Sequence, residues 1–165
     1  MTARFSVEIL GDQPGRSDFE CGVEPLDRYF YEQVGQDIRR RATACYVAIE
    51  AETRRIAGYY TLAASGVPLA EMPDSLIKRL PRYPLVPVAR MGRLAVDLRF
   101  RGSKLGAALL WDAATRAARS EMAVFGLVVD AKDAAAEAFY RHHGFIALSA
   151  ARQLLMPLAQ MKPAG

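Results

Sequence analysis

Arg99, Arg101 and Lys104 crowd one short segment, Met91-Gly-Arg-Leu-Ala-Val-Asp-Leu-Arg-Phe-Arg-Gly-Ser-Lys-Leu-Gly-Ala107. Its apolar residues Leu94, Ala95 and Val96 read as a strand ending at Asp97, and an alanine-rich helix is predicted from near Lys104 to Ser120. A strand that delivers a tight loop onto a helix N-terminus suits an anion, because unpaired backbone N–H groups and the helix dipole point the same way. Three cationic side chains around those amides would add full charge. The chemistry implied is the holding of a phosphate or pyrophosphate. The glycines do not match Gly-x-x-x-x-Gly-Lys-Ser/Thr or Gly-x-Gly-x-x-Gly, so neither a nucleoside-triphosphate loop nor a dinucleotide fold is supported. Taken alone, the segment is equally a plain helix-capping loop.

A second constellation is Val129-Asp-Ala-Lys-Asp-Ala-Ala-Ala-Glu-Ala-Phe-Tyr-Arg-His-His-Gly-Phe145. Asp133 is placed as the N-cap of a helix over 133–143, with Gly144 just beyond its end. Tyr140 on that helix reads as a half-buried amphipathic residue packed beside Phe139. His142 and His143 fall at the helix C-terminus and receive no catalytic role. Asp97 reads as a strand-end residue that caps the loop rather than as a base. Cys21 and Cys45 share no metal-ligand spacing, so neither a disulfide framework nor a metal site is expected.

These residues need a mixed α/β scaffold. Residues 5–10 alternate as a first strand, and Leu26, Tyr29, Phe30, Val34 and Ile38 mark one helical face from Glu24 onward. The β-rich runs 46–50 and 56–62, separated by a charged stretch, form a hairpin pattern. A short helix over 68–80 lies between Pro68 and Pro81, and Pro81, Pro84 and Pro87 enforce an extended approach to a strand at 88–96. Strands at 124–129, 145–148 and 153–158 complete the pattern, which indicates a mixed sheet flanked by helices.

At 165 residues the chain is read as one domain with a proper core. No apolar run approaches the ~20 residues that span a bilayer, and the first residues lack a signal-peptide pattern, so a cytoplasmic protein without membrane partners is expected. The net charge of +4 is modest, but Lys78, Arg79, Arg82, Arg90, Arg93, Arg99, Arg101 and Lys104 face only Asp97 across their stretch, and Arg39, Arg40 and Arg41 form a second cluster. Two basic groups exceed what one cofactor's phosphates require, so a polyanionic partner is plausible beside a merely solvated surface.

The phosphate loop and the helix ending Phe139-Tyr140…Gly144-Phe145 together resemble the GNAT acyl-CoA N-acetyltransferases. That family's loop has the form Gln/Arg-x-x-Gly-x-Gly/Ala; Arg101 takes the first position and Gly106 the last, while Lys104 stands where glycine is usual. The segments 19–30, 56–65, 80–88 and 92–97 extend the resemblance over nearly the whole chain, to the GNAT toxins of bacterial type II toxin–antitoxin pairs. The resemblance implies a single N-acetyltransferase domain over 1–165 with a mixed central sheet of about six to seven strands. It implies acetyl-CoA as co-substrate, no metal, an aminoacyl-tRNA substrate, a ribbon-helix-helix antitoxin and a homodimer.

By the same resemblance, Tyr140 is the catalytic donor to the departing thiolate. Arg101, Gly102, Ser103, Lys104, Leu105, Gly106 and Ala107 wrap the pyrophosphate; Leu94, Ala95 and Val96 pair with the pantetheine amides; and Asp133 joins the cofactor-binding set. Arg39, Arg40, Arg41, Arg79, Arg82, Arg90 and Arg93 are the candidate tRNA contacts. An α-amine has a pKa of ~7.7–8.0 against ~10.4 for lysine, so an aminoacyl ester fits a site without an obvious base better than a lysine does. The alternatives are acetylation of a protein N-terminus or a small amine, and a non-catalytic CoA-binding module.

Overall fold

A computed structural model describes residues 3–160. In chain order the strands are β1 (Phe5–Ile9), β2 (Ala44–Glu50), β3 (Ile56–Pro68), β4 (Leu85–Met91), β5 (Leu94–Val96), β6 (Gly126–Asp130), β7 (Ile146–Ala147) and β8 (Gln153–Pro157). The helices are α1 (Glu24–Arg28), α2 (Val34–Arg39), α3 (Asp74–Ile77), α4 (Leu105–Ala118) and α5 (Ala134–His142). The residues fall into two compact units, one of 3–63 with 92–113, the other of 64–91 with 114–160; the chain passes between them within β3, between Met91 and Gly92, and within α4.

In the first unit, β1, β2 and β3 pair antiparallel, and β5 adds to β3 with Gly58 opposite Val96 and Tyr60 opposite Leu94. The predicted hairpin over 46–62 is therefore present. Its core stacks Phe30 on Tyr59 with ring centroids 4.4 Å apart, and Phe19 meets both rings edge-on. The single helix expected after Glu24 is instead α1, a π-helical turn over Tyr29–Gln33, and α2. The reason lies in the spacing. Leu26, Phe30, Val34 and Ile38 recur at a strict interval of four. On a helix of 3.6 residues per turn that interval drifts about 40° per step, and a wider turn restores the face.

In the second unit, β4 pairs parallel with β6, β6 antiparallel with β8, and β8 antiparallel with β7. Its core is mainly aliphatic: Val67, Leu76, Val86, Val88, Val128 and Leu155 are all buried there. The predicted strand 88–96 is two strands interrupted at Gly92 and Arg93, which raises the strand total among the described residues to eight. β4 starts earlier than expected and includes Pro87, whose carbonyl accepts from the Phe125 N–H at 2.8 Å, so the proline supplies the acceptor it can and withholds only a donor. The predicted helix 68–80 is a 3-10 turn over Leu69–Glu71 and then α3, divided at Pro73. No helix among the described residues is long and apolar enough to cross a membrane.

Candidate active site

The loop after β5 is assembled from its own residues. Buried Asp97 ends the strand, and its carboxylate accepts the backbone N–H groups of Arg99 at 2.9 Å and Glu20 at 3.0 Å. Ser103 donates its hydroxyl to the Phe100 carbonyl, and Gly102 and Lys104 take left-handed backbone with φ of 79° and 64°. The Lys104 carbonyl then accepts from Ala108, opening α4. Among the described residues, the backbone N–H groups from Gly102 to Ala107 donate to no protein acceptor. Unpaired amides at a helix N-terminus are the kind of donor set that an anion requires.

Beside the loop, β5 pairs among the described residues with β3 alone, which leaves its other edge open among them for the added strand expected of Leu94, Ala95 and Val96. Gly58 explains how α4 sits so close. A side chain there would come within 2.8 Å of a Leu109 methyl and 2.9 Å of the Ala95 carbonyl oxygen. The glycine in Ile56-Ala-Gly-Tyr-Tyr60 thus sets the approach of the helix that carries the loop.

Two of the three cations around the loop have side-chain partners of their own. The Arg99 guanidinium is bound to the Asp97 carboxylate and to the Asp18 carbonyl, and Arg101 donates to the Cys21 carbonyl at 3.2 Å. Both arginines fasten residues 18–21 to the loop. All three cations are exposed, and Lys104 is the one whose side chain makes no hydrogen bond or ion pair among the described residues.

In the second unit, α5 begins at Asp133, whose carboxylate accepts from the Ala136 N–H at 2.8 Å. It ends in a Schellman motif: Phe145 donates to the Tyr140 carbonyl and Gly144 to the Arg141 carbonyl, with Gly144 at φ 92°. The Tyr140 and Phe145 rings meet at 5.5 Å, the apolar contact that accompanies such a cap, and Phe139 flanks Tyr140 at 5.4 Å. The Tyr140 hydroxyl has no protein hydrogen-bond partner among the described residues. Burial, with a smaller push from the Asp130 carboxylate, raises its pKa to about 12.

A donor-lined loop on a helix N-terminus and a protonated phenol fixed by the Tyr-x-x-x-Gly-Phe cap are the two marks of one enzyme family. Residues 14–145 match the family model described as Acetyltransferase (GNAT) family. The chain belongs to that family. Its eight strands, paired mostly antiparallel and accompanied by helices, are those of the GNAT fold. A "tRNA-acetylating toxin" of Mycobacterium tuberculosis is 30% identical over 88% of this chain and 86% of its own length. The solved structure of AtaT complexed with acetyl-methionyl-tRNAfMet is 29% identical, with TM-score 0.86 over 94% of this chain and 95% of that one. An AtaT tyrosine-to-phenylalanine mutant toxin, bound to the C-terminus of the antitoxin AtaR and acetyl-CoA, is 25% identical, with TM-score 0.78 over 95% of each chain.

Within this GNAT chain the seven candidate RNA-binding arginines divide. Arg39, Arg40 and Arg41 lie exposed at the end of α2, with Arg41 at φ 59°, and Arg79 and Arg82 are exposed around the end of α3. Arg90 is ion-paired to Asp130 at 2.6 Å and donates to the Ser65 hydroxyl. Arg93 lies over the Tyr29 ring at 3.5 Å, and Tyr29 donates to Asp37 at 2.7 Å. Asp97 caps the loop as its sequence position suggests, but its tie to the Glu20 N–H and the Tyr29–Asp37–Arg93 group are not legible in the sequence, since each joins residues more than fifty positions apart.

Proposed function

We propose that this GNAT enzyme transfers the acetyl group of acetyl-CoA to the α-amine of an aminoacyl-tRNA and thereby acts as the toxin of a toxin–antitoxin pair. The observation that carries the reading is likeness along nearly the full chain to tRNA-acetylating toxins, including one solved with an acetylated aminoacyl-tRNA. The two compact units are read as one catalytic domain.

The amide donors from Gly102 to Ala107 suit the pyrophosphate of coenzyme A, with Lys104 as a point charge, and the free edge of β5 at Leu94, Ala95 and Val96 suits the pantetheine amides. Asp133 supports the site through its cap on α5 rather than through a free carboxylate. Acetyl-CoA supplies an activated acyl group on a thiolate leaving group. The neutral α-amine attacks the thioester carbon, the C–S bond breaks, the amine's proton is lost, and an amide and free coenzyme A result.

Tyr140 donates a hydrogen bond to the sulfur as negative charge develops there. Complete transfer of its proton, from a phenol near 12 to a thiolate of pKa ~8.5, would cost on the order of 5 kcal/mol. The phenol therefore stabilises the departing thiolate and keeps its proton.

Exposed Arg39, Arg40, Arg41, Arg79 and Arg82 fit contacts to tRNA phosphates, whereas Arg90 and Arg93 are read as positioning residues that hold Asp130 and Tyr29. An antitoxin of ribbon-helix-helix type, a homodimeric toxin and action in the cytoplasm complete the proposal. Addition of the purified chain with acetyl-CoA to a cell-free translation reaction tests it. Protein synthesis should stop, and should resume when freshly charged tRNA is added. Unimpeded synthesis would overturn the toxin reading.

A further inference from the structure

Tyr83 is 68% exposed in a chain whose other tyrosines are mostly built into its cores. Its backbone is nonetheless firmly held. Pro81 and Pro84 restrict the residues on either side, the Pro84 carbonyl accepts from Leu69 at 2.9 Å, and Leu85 lies directly against Gly66. The ring is thus presented from a rigid segment, and little further order is lost when a partner covers it.

Its neighbourhood is strongly cationic. No acidic residue occurs from Ser75 to Val96, and Lys78, Arg79 and Arg82 are exposed around the tyrosine. The Arg79 guanidinium sits 5.9 Å from the Phe125 ring, which restrains it. An exposed flat ring in an acid-free run of sequence with three exposed cations, one of them restrained, complements a ligand that carries both phosphates and unpaired planar bases.

We propose that Tyr83 is a stacking platform for an unpaired base of the RNA substrate, with Arg79 and Arg82 as its flanking phosphate contacts. The inference rests on the aminoacyl-tRNA reading and deepens it. The backbone phosphates supply affinity that salt erodes; the ring supplies a contact that salt barely touches.

The test measures binding and turnover separately. A short single-stranded RNA and its duplex are titrated against wild type, Tyr83→Ala, Tyr83→Trp, Arg79→Ala and Arg82→Ala. Wild type prefers the single strand; Tyr83→Ala loses about ten-fold or more of that affinity, and Tyr83→Trp restores it. The arginine variants each lower the slope of log affinity against log salt by about 1, while Tyr83→Ala leaves the slope unchanged. In acetyl transfer, Tyr83→Ala raises KM for aminoacyl-tRNA and leaves kcat and KM for acetyl-CoA within two-fold.

Equal RNA binding by Tyr83→Ala and wild type overturns the platform. A loss confined to binding of an antitoxin protein also overturns it, and reassigns the surface to a protein partner. Wild type that prefers single strands through Tyr83 but acetylates no aminoacyl-tRNA sinks the proposed activity and leaves the platform standing.

Discussion

The Phe145 N–H donates to the Tyr140 carbonyl at 3.1 Å while the two rings meet at 5.5 Å, so the residue that closes α5 also fixes the phenol assigned to catalysis. The interval Tyr-x-x-x-Gly-Phe is the interval of a Schellman cap. Gly144, at φ 92°, is the hinge of that cap, and a side chain added there would meet nothing within 4 Å. Gly144→Ala should therefore cost only the left-handed backbone penalty, about 1–2 kcal/mol, read as a lower denaturation midpoint. Its kcat should fall more than its KM values rise. An unchanged kcat would separate the cap from the chemistry.

Lys104 holds a left-handed backbone that favours glycine. Lys104→Gly should raise stability by up to about 1 kcal/mol, because the strain disappears. It should also raise KM for acetyl-CoA and weaken the salt dependence of that KM, because a point charge near the phosphates is lost. A lower melting temperature in the variant would mean that Lys104 makes a stabilising contact outweighing its strain.

Asp97→Ala removes the acceptor shared by the Glu20 and Arg99 N–H groups and by the Arg99 guanidinium. A stability loss of about 2–3 kcal/mol is expected, mainly from the buried amides, since Arg99 is partly solvated. Calorimetry with acetyl-CoA should show weakened binding, because residues 18–21 no longer brace the loop. Wild-type affinity in the variant would show that the loop holds its shape without Asp97.

Burial keeps the Tyr140 proton in place up to about pH 12. The form needed for catalysis is the protonated phenol, so no falling limb from Tyr140 is expected across the working range. The substrate α-amine must be neutral, so kcat/KM should rise with pH through ~7.7–8.0 or below, where the adjacent ester lowers the amine's pKa. A rate–pH profile with a falling limb near pH 9 would show that Tyr140 titrates much earlier than its burial implies.

Local chemistry made much of this molecule legible in its sequence. Asp133 and Gly144 marked both ends of α5, and the 46–62 hairpin followed from β-rich runs around a charged turn. Lys104 stood out because the GNAT loop usually has glycine at that position, and its backbone does take the left-handed conformation that favours glycine. What stayed hidden depended on distant partners. Nothing near Arg99 or Arg101 announces that their side chains are taken by the backbone of residues 18 and 21. Arg90 looked free until Asp130, forty residues on, neutralised it. The π-helical turn at 29–33 left a trace in the four-residue interval, visible once helical drift is counted.

The most direct measurement is transfer of labelled acetyl from acetyl-CoA to total charged tRNA by wild type and by Tyr140→Phe at equal concentration. Label should appear on the α-amine of aminoacyl-tRNA and not on uncharged tRNA, with kcat lowered ~10²–10³-fold in the phenylalanine variant while acetyl-CoA binding persists. Absence of label on every aminoacyl-tRNA, or equal rates from the two proteins, would contradict the account.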